Sequence, residues 1–392
     1  MLTSSPQILF CVENEANSSY PYKGFNSRRN EVRHLAALRL VNRGFCASAS
    51  PQLFRHIVAI CVPLQKESPL TRLVGVSNSP YAKYVERIEV GFRLFENSGV
   101  EPLSLYLDDL AGVLPGCLDR LPNINAVELH DTPSSLPWNK KRAAVNTFAT
   151  ALHNGSLLNL TDLEVTLPNA LEFGQILFGR EESTFQILQH TLQSLRHLGL
   201  HVATDDDLYS RPDLTNTAHL FRLVELAVNV SSLTISSSIP LGYINFRSLR
   251  LLHLKYLDLK GGEASAEALY SLVEQSKESI RSVRFHKFKL NSGRWEIVLM
   301  RMSRLPRILD IDIGSCGYSN ALETHRVDTL SPCPPAWPEA ILSQAVNDGM
   351  ALRFLLLQVN ENRLAAGLSV MPESPYKCSY WGSPYVLRDI PS

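Results

Sequence analysis

The chain has 392 residues, 45% of them hydrophobic and 19% charged, a composition ordinary for a folded polypeptide and a length beyond one compact core. Its 38 basic and 38 acidic side chains leave no net charge, which argues against a nucleic-acid binder working through a basic surface. No apolar run of about 18 residues occurs and the first residues lack a basic-then-apolar pattern, so neither a membrane span nor a secretory signal is expected.

Residues 34–57 come first in chain order. Leu35, Leu38, Val41, Phe45 and Ala49 fall three or four apart, which predicts an amphipathic helix broken by Gly44 and ended before Pro51. The polar, turn-rich text before it, such as Asn17-Ser18-Ser19-Tyr20-Pro21, does not read as helix.

A six-residue pattern, apolar-x-x-apolar-x-apolar, then recurs. It reads Val85-Ile88-Val90, Ile124-Val127-Leu129, Leu160-Leu163-Val165, Leu195-Leu198-Leu200, Leu223-Leu226-Val228, Leu249-Leu252-Leu254 and Ile280-Val283-Phe285. Pro306-Leu309-Ile311 is a weaker eighth copy and Leu352-Leu355-Leu357 a ninth. Each copy predicts a short strand with one apolar and one polar face. Helical periodicity fills the intervals: Val145, Phe148 and Leu152; Phe185, Leu188 and Leu192; Leu269, Leu272 and Val273 after a start at Ser265; Trp295, Val298, Leu299 and Met302. Strand–helix alternation implies parallel strands joined by right-handed crossovers. A doubly wound sheet would bury both strand faces, whereas these strands alternate, so a stacked, repeat-built sheet is expected.

Beyond Asp328, Ser331-Pro-Cys-Pro-Pro-Ala-Trp-Pro338 excludes regular structure. Pro338 is placed to open a helix running to Asp348 and ended by Gly349, with a strand from Leu352 to Val359. The tail carries Tyr376, Tyr380, Trp381 and Tyr385 among prolines and reads as an extended cap. Seven scattered cysteines without Cys-x-x-Cys spacing read as reduced thiols, and so as a cytoplasmic or nuclear protein. The sequons at Asn154, Asn159 and Asn229 are then expected to stay unmodified.

Segments such as Leu160-Thr-Asp-Leu-Glu-Val165 resemble the strand consensus of leucine-rich repeats over residues 80 to 315. The Asn or Cys of that consensus, three residues after the third apolar slot, is missing in the first seven copies, which hold Arg93, Thr132, Pro168, Ala203, Ser231, Leu257 and Phe288 there. The text Leu38-Arg-Leu-Val-Asn-Arg-Gly-Phe45, followed by Pro51-Gln-Leu-Phe-Arg55, resembles the C-terminal half of an F-box. Together these resemblances imply an α/β fold: a curved parallel sheet with outer helices (61–330), preceded by a small helical F-box-like segment (1–60) and followed by a Pro/aromatic cap (331–392). They imply a non-enzymatic substrate-recognition subunit of a cullin–RING ubiquitin ligase. Leu38, Leu40, Val41, Phe45, Leu53 and Phe54 would meet the small ligase adaptor, and through it cullin. The alternative is a repeat scaffold without the ligase link. No cofactor, nucleic-acid or membrane partner is expected, and the target protein is unnamed.

The solvent slots read acidic at Glu89, Glu128 and Glu164 and basic at His253, Lys255, Arg284 and His286, which makes the basic quartet the expected target contact. Two other groupings suggest chemistry weakly. His197 and His201, followed by Asp205-Asp206-Asp207, lie about 13 Å apart along an extended strand, too far for one metal shell. Gly314-Ser315-Cys316-Gly317 follows a strand and reads as a turn rather than a nucleophile.

Overall fold

A computed structural model describes residues 34–61, 68–92, 101–130, 138–153, 159–177, 182–203, 217–243, 249–319 and 345–371, together with 157, 246 and 341. The chain divides into two units, residues 1–56 with 372–392, and residues 57–371.

In the first unit a helical stretch at residues 34–38 precedes α1 (Arg43–Phe54). Asn42 sits in extended backbone and its side chain accepts the Phe45 N–H at 2.9 Å, capping α1. The helix therefore breaks before Gly44 rather than at it, and it continues through Pro51 instead of ending there. Pro51 costs one backbone donor. The Ser50 hydroxyl donates to the Cys46 carbonyl at 2.6 Å in the same turn, a bond that bends helices. Leu35, Ala49 and Leu53 form a small buried cluster with Leu38 and Phe54 at its edge, and the Arg39 guanidinium lies 4.8 Å over the Phe54 ring.

The second unit is α/β. Its elements are β1 (His56–Cys61), α2 (Pro69–Ser77), β2 (Arg87–Phe92), α3 (Glu101–Asp119), β3 (Ala126–Leu129), α4 (Trp138–Leu152), β4 (Asp162–Leu167), α5 (Phe173–Leu177), α6 (Glu182–Ser194), β5 (His197–Val202), α7 (Ala218–Leu226), β6 (Ser232–Tyr243), β7 (Tyr256–Ser265), α8 (Ala266–Gln275), β8 (Ser282–His286), β9 (Lys289–Ser292), α9 (Trp295–Met302), β10 (Asp310–Gly314), β11 (Gly317–Tyr318) and α10 (Val346–Ala365). The main sheet runs in strict chain order, β1-β2-β3-β4-β5-β6-β7-β8-β10, and the pairings from β2 through β10 are parallel. Such an order has no switch point, so a doubly wound sheet is excluded. The short strands β9 and β11 extend the sheet beyond β7.

Alternation explains the layering. In β4, Leu163, Val165 and Leu167 are buried while Asp162, Glu164 and Thr166 are half-exposed. The buried side meets helices whose inner faces carry residues such as Phe148, Leu188, Leu223, Leu272 and Trp295. Ser265 caps α8 through the Ala268 N–H at 3.1 Å, as its position after Gly261-Gly262 predicts.

Register is corrected at four places. Leu223 and Leu226 belong to α7, and Leu249–Leu254 is not a strand, since Leu252 is 60% exposed. The structural slots are Val230-Leu233-Ile235, Leu254-Leu257-Leu259 and Ile308-Ile311-Ile313, aligned Leu198↔Leu233↔Leu257↔Val283↔Ile311. A backbone ladder ahead of the strands repeats once per turn: Asn125 to Glu86, Thr161 to Asn125, Arg196 to Thr161, Ser231 to Arg196, Lys255 to Ser231, Arg281 to Lys255 and Leu309 to Arg281, all within 2.7–2.9 Å. The ninth copy fails, because Leu352–Leu357 lies within α10.

Most of the helix expected at 338–348 lies outside the described residues; α10 starts at Val346, carries Gly349 inside it rather than at its end, and takes the place of the strand expected at 352–359. Ala351, Leu352, Leu355 and Val359 are buried, and α10 packs on α9. Asp348, 1% exposed, accepts from the Glu296 N–H and the Tyr318 hydroxyl, both at 2.8 Å, and so caps the N-terminus of α9. Asn362 donates to the Leu305 and Ile308 carbonyls, tying the other end of α10 to the last turn. The Pro-rich text at 331–338 and the aromatic tail from Tyr376 lie outside the described residues. Among the described residues no helix is long and apolar enough to cross a membrane.

Candidate functional site

The solvent side of the sheet gathers most of the polar side chains singled out in the sequence. Its middle row is continuous in register: Glu89, Glu128, Glu164, Gly199, Thr234, Asp258, Arg284 and Asp312. Three glutamates thus stand directly opposite one another on β2, β3 and β4. Like charges at opposite positions repel, so each needs compensation.

The compensation comes from neighbouring rows. Arg87 pairs with Glu128. His130 Nε2 lies 3.1 Å from Glu89 Oε1 and 3.6 Å from Glu128 Oε2. Gly91 makes room for this histidine, since a Cβ there would fall 2.4 Å from His130 Cβ. On the next strands, His197 Nε2 lies 3.0 Å from Glu164 Oε1 and His201 Nε2 4.0 Å from Glu164 Oε2. The second ring nitrogens meet Ser232 and Ser236 at 2.9 and 2.6 Å. Gly199 is again the vacancy, because its Cβ would meet Glu164 Cγ at 2.8 Å. Burial alone would raise the Glu164 carboxyl, but the His197 hydrogen bond and the charges of His197, His201 and Arg87 outweigh it and hold the pKa down to about 2. Burial pushes His201 below its ordinary value, against the pull of Glu164.

At the other end, Arg284 lies 3.5 Å from Asp310, and His286 lies 3.0 Å from Asp312. Burial raises Asp258; the same effect on Asp312 is overcome by the His286 hydrogen bond and charge, which lower it. The expected basic quartet is not assembled. His253 and Lys255 precede β7, where Lys255 belongs to the backbone ladder, and the face positions they were given are Asp258 and Lys260. Arg284 and His286 do face solvent, but each is matched by an aspartate.

Glu89, Glu128 and His130 present donor atoms within 4.8 Å of one another, a set able to hold a divalent ion. Arg87 and His130 already balance the two carboxylates, so the cluster is closed by its own side chains. His197 and His201 converge on Glu164 despite their spacing along the strand, because their rings lean toward β4 from both sides. The acidic run 205–207 that was read with them lies outside the described residues. Cys316 is fully buried, its Sγ donating to the Phe285 carbonyl at 3.2 Å; burial, aided by the Asp312 charge, pushes the thiol up to about 12. Ser315 beside it has φ 53, the left-handed backbone of a tight turn.

In the first unit the six residues expected to meet an adaptor divide. Leu53 is buried in the cluster, and Leu38 and Phe54 pack against it. Leu40, Val41 and Phe45 are 88%, 63% and 40% exposed. No protein-family model matches the chain, and no curated protein matches it.

Proposed function

We propose that the chain is a recognition subunit of a cullin–RING ubiquitin ligase, built from an F-box-like helical unit and a leucine-rich-repeat solenoid. The carrying observation is the strictly sequential parallel sheet, whose eight sets of apolar slots, three of them corrected, share one register. In that register Cys316 stands three residues after Ile313, where the repeat consensus has Asn or Cys. Its thiol reaches back to the Phe285 carbonyl of the preceding turn, the bond that such a residue makes between repeats.

Recruitment needs two surfaces. The wet side of the sheet supplies one, and Leu40, Val41 and Phe45 supply an apolar set for the adaptor, because exposed large apolar side chains in one segment mark contact sites. Holding target and ligase together raises the effective concentration for ubiquitin transfer, with no reacting group contributed by the chain. The test is affinity purification with mass spectrometry, comparing the full chain, Leu40→Asp and a chain lacking residues 1–60. Leu40 is exposed, so its substitution leaves folding intact. Adaptor and cullin recovered with the full chain and lost from both variants is the expected result; equal recovery rejects the ligase reading. The scaffold alternative draws on the consumption of Leu38, Leu53 and Phe54 by the core, which halves the available apolar set.

A further inference from the structure

We infer that the turns leading into β7, β8 and β10 bind an Asp/Glu-rich segment of a partner protein, anchored by one apolar side chain. The inference does not depend on the ligase reading. The turns are residues 249–255, 276–281 and 303–309, and they stack on one another. The Arg281 and Ser282 N–H groups donate to the Lys255 carbonyl, those of Leu309 and Asp310 to the Arg281 carbonyl, and the Ser279 hydroxyl to the Leu254 carbonyl. Stacking brings Arg250, Lys255, Lys277, Arg281, Arg304 and Arg307 to one rim of the sheet. Glu278 is the one carboxylate in the three turns, in a chain whose overall charge is zero.

Unlike the sheet face, this rim is not neutralised from within. Arg250, Lys255, Arg304 and Arg307 are exposed, and among the described residues none of the four is in an ion pair; Lys277 meets Glu274 at 3.8 Å. A helix favours cations only about its last turn, which accounts for Lys277 and Arg304 close behind α8 and α9 but not for Arg250, Lys255 and Arg307. Like charges on turns about 4.8 Å apart repel, so gathering them is a cost to the fold. A second observation adjoins the first. A cavity lined by Met300, Arg304, Leu305, Pro306, Phe354 and Gln358 lies between the last of these turns and α10. Phe354 in its wall and Leu252 in the first turn are 49% and 60% exposed. Cations bordering an apolar recess fit an acidic peptide with an apolar anchor. The three turns span about 10 Å, the reach of three or four extended residues. That span is short for a nucleic acid, which calls for a longer basic groove with aromatic platforms.

The experiment measures fluorescence anisotropy of a labelled twelve-residue peptide of alternating Asp and Ser with one central Leu, at 50 and 300 mM salt, against the full-length chain. A Lys/Ser peptide with the same Leu is the comparison, and unlabelled oligothymidylate and phosphatidylserine vesicles are the competitors. The expected result is salt-sensitive binding of the acidic peptide alone, displaced by neither competitor at matched charge. Replacing its Leu by Ser is expected to weaken binding severalfold. The triple variant Arg250→Gln, Lys255→Gln, Arg307→Gln is expected to weaken it at least tenfold. A control triple, Arg72→Gln, Lys287→Gln, Arg294→Gln, removes as much charge from exposed positions elsewhere and leaves binding within twofold. Leu252→Glu, which keeps every cation and alters an exposed position, is expected to weaken binding severalfold and serves if the triple variant does not fold. No binding by the wild type, equal weakening in the control, indifference to the Leu, preference for the Lys peptide, or displacement by the oligonucleotide or the vesicles overturns the inference.

Discussion

Leu252 and Leu257 lie five residues apart and look interchangeable in the text, yet the fold gives them opposite roles. Leu257 is 1% exposed on β7, aligned between Leu233 and Val283, whereas Leu252 is 60% exposed in the turn before that strand. Leu257→Ala removes a fully buried branched side chain and leaves a cavity between two neighbouring strands that are fixed by backbone bonds on both sides. Collapse is limited there, so the cost is about 3 kcal/mol, within the usual range of about 2–5. Leu252→Ala removes apolar surface that is mostly wet already and costs under about 0.5 kcal/mol. In a urea titration with a slope near 3 kcal/mol/M, the first variant shifts the midpoint by about 1 M and the second by less than about 0.2 M. Trp295, fully buried with its indole N–H donating to the Gly317 carbonyl at 2.8 Å, gives a fluorescence signal inside the same unit. Equal shifts for the two variants, or the reverse order, would mean that the slots are misregistered and that the face built on them is wrong.

Other outcomes follow from the same geometry. Gly91→Ala drives a Cβ into His130, so overpacking of about 1–3 kcal/mol outweighs the unfolded-state gain of about 0.4–1, and thermal melting should fall. Glu164 is depressed below its ordinary 4.5, so its contribution to stability is complete above that pH and is lost as pH falls toward 2; the acid limb of a stability profile should flatten in Glu164→Gln. His201, lowered by burial, takes up its proton more readily when unfolded, which adds a separate loss below about pH 6.5; that loss should vanish in His201→Gln. Iodoacetamide should label half-buried Cys46 in the native chain and reach Cys316 only on unfolding, read by peptide mass spectrometry; early labelling of Cys316 would contradict its burial.

Most of the strand order was readable because its signal is redundant. Five of the eight copies were placed in the right register, from Val85-Ile88-Val90 through Leu195-Leu198-Leu200 and again at Ile280-Val283-Phe285. The others slipped for a definite reason: apolar residues three apart satisfy both the strand slot and one face of a helix. Leu223 and Leu226 were such a pair and went to α7. The same ambiguity turned Leu352–Val359, a run rich in leucine, into a strand when it is the buried side of a helix. Slippage then propagated to the site. Shifting β7 moved His253 and Lys255 onto the face and hid Asp258 and Lys260, so the face read as basic at its centre. The His197–Glu164–His201 pairing was not legible at all, because Cα spacing along one strand ignores where long side chains lean across to the next.

The acidic row is costly in two ways, and both costs fall at the same place. Opposed carboxylates on neighbouring strands repel, and the two glycines that admit His130 and His201 weaken the strands that hold them. A sheet selected for stability alone would fill Gly91 and Gly199 with branched residues and alternate the charges. Here the strands instead retain three aligned glutamates, each partly neutralised by an arginine or a histidine from an adjacent row. This neutralisation from neighbouring rows offsets the repulsion and keeps the face foldable, with the Glu89 and Glu128 side chains only 13% and 11% exposed beneath their partners. Local rules broken together, on the solvent side of an otherwise consistent sheet, are what the proposed role of this face as a target surface would produce.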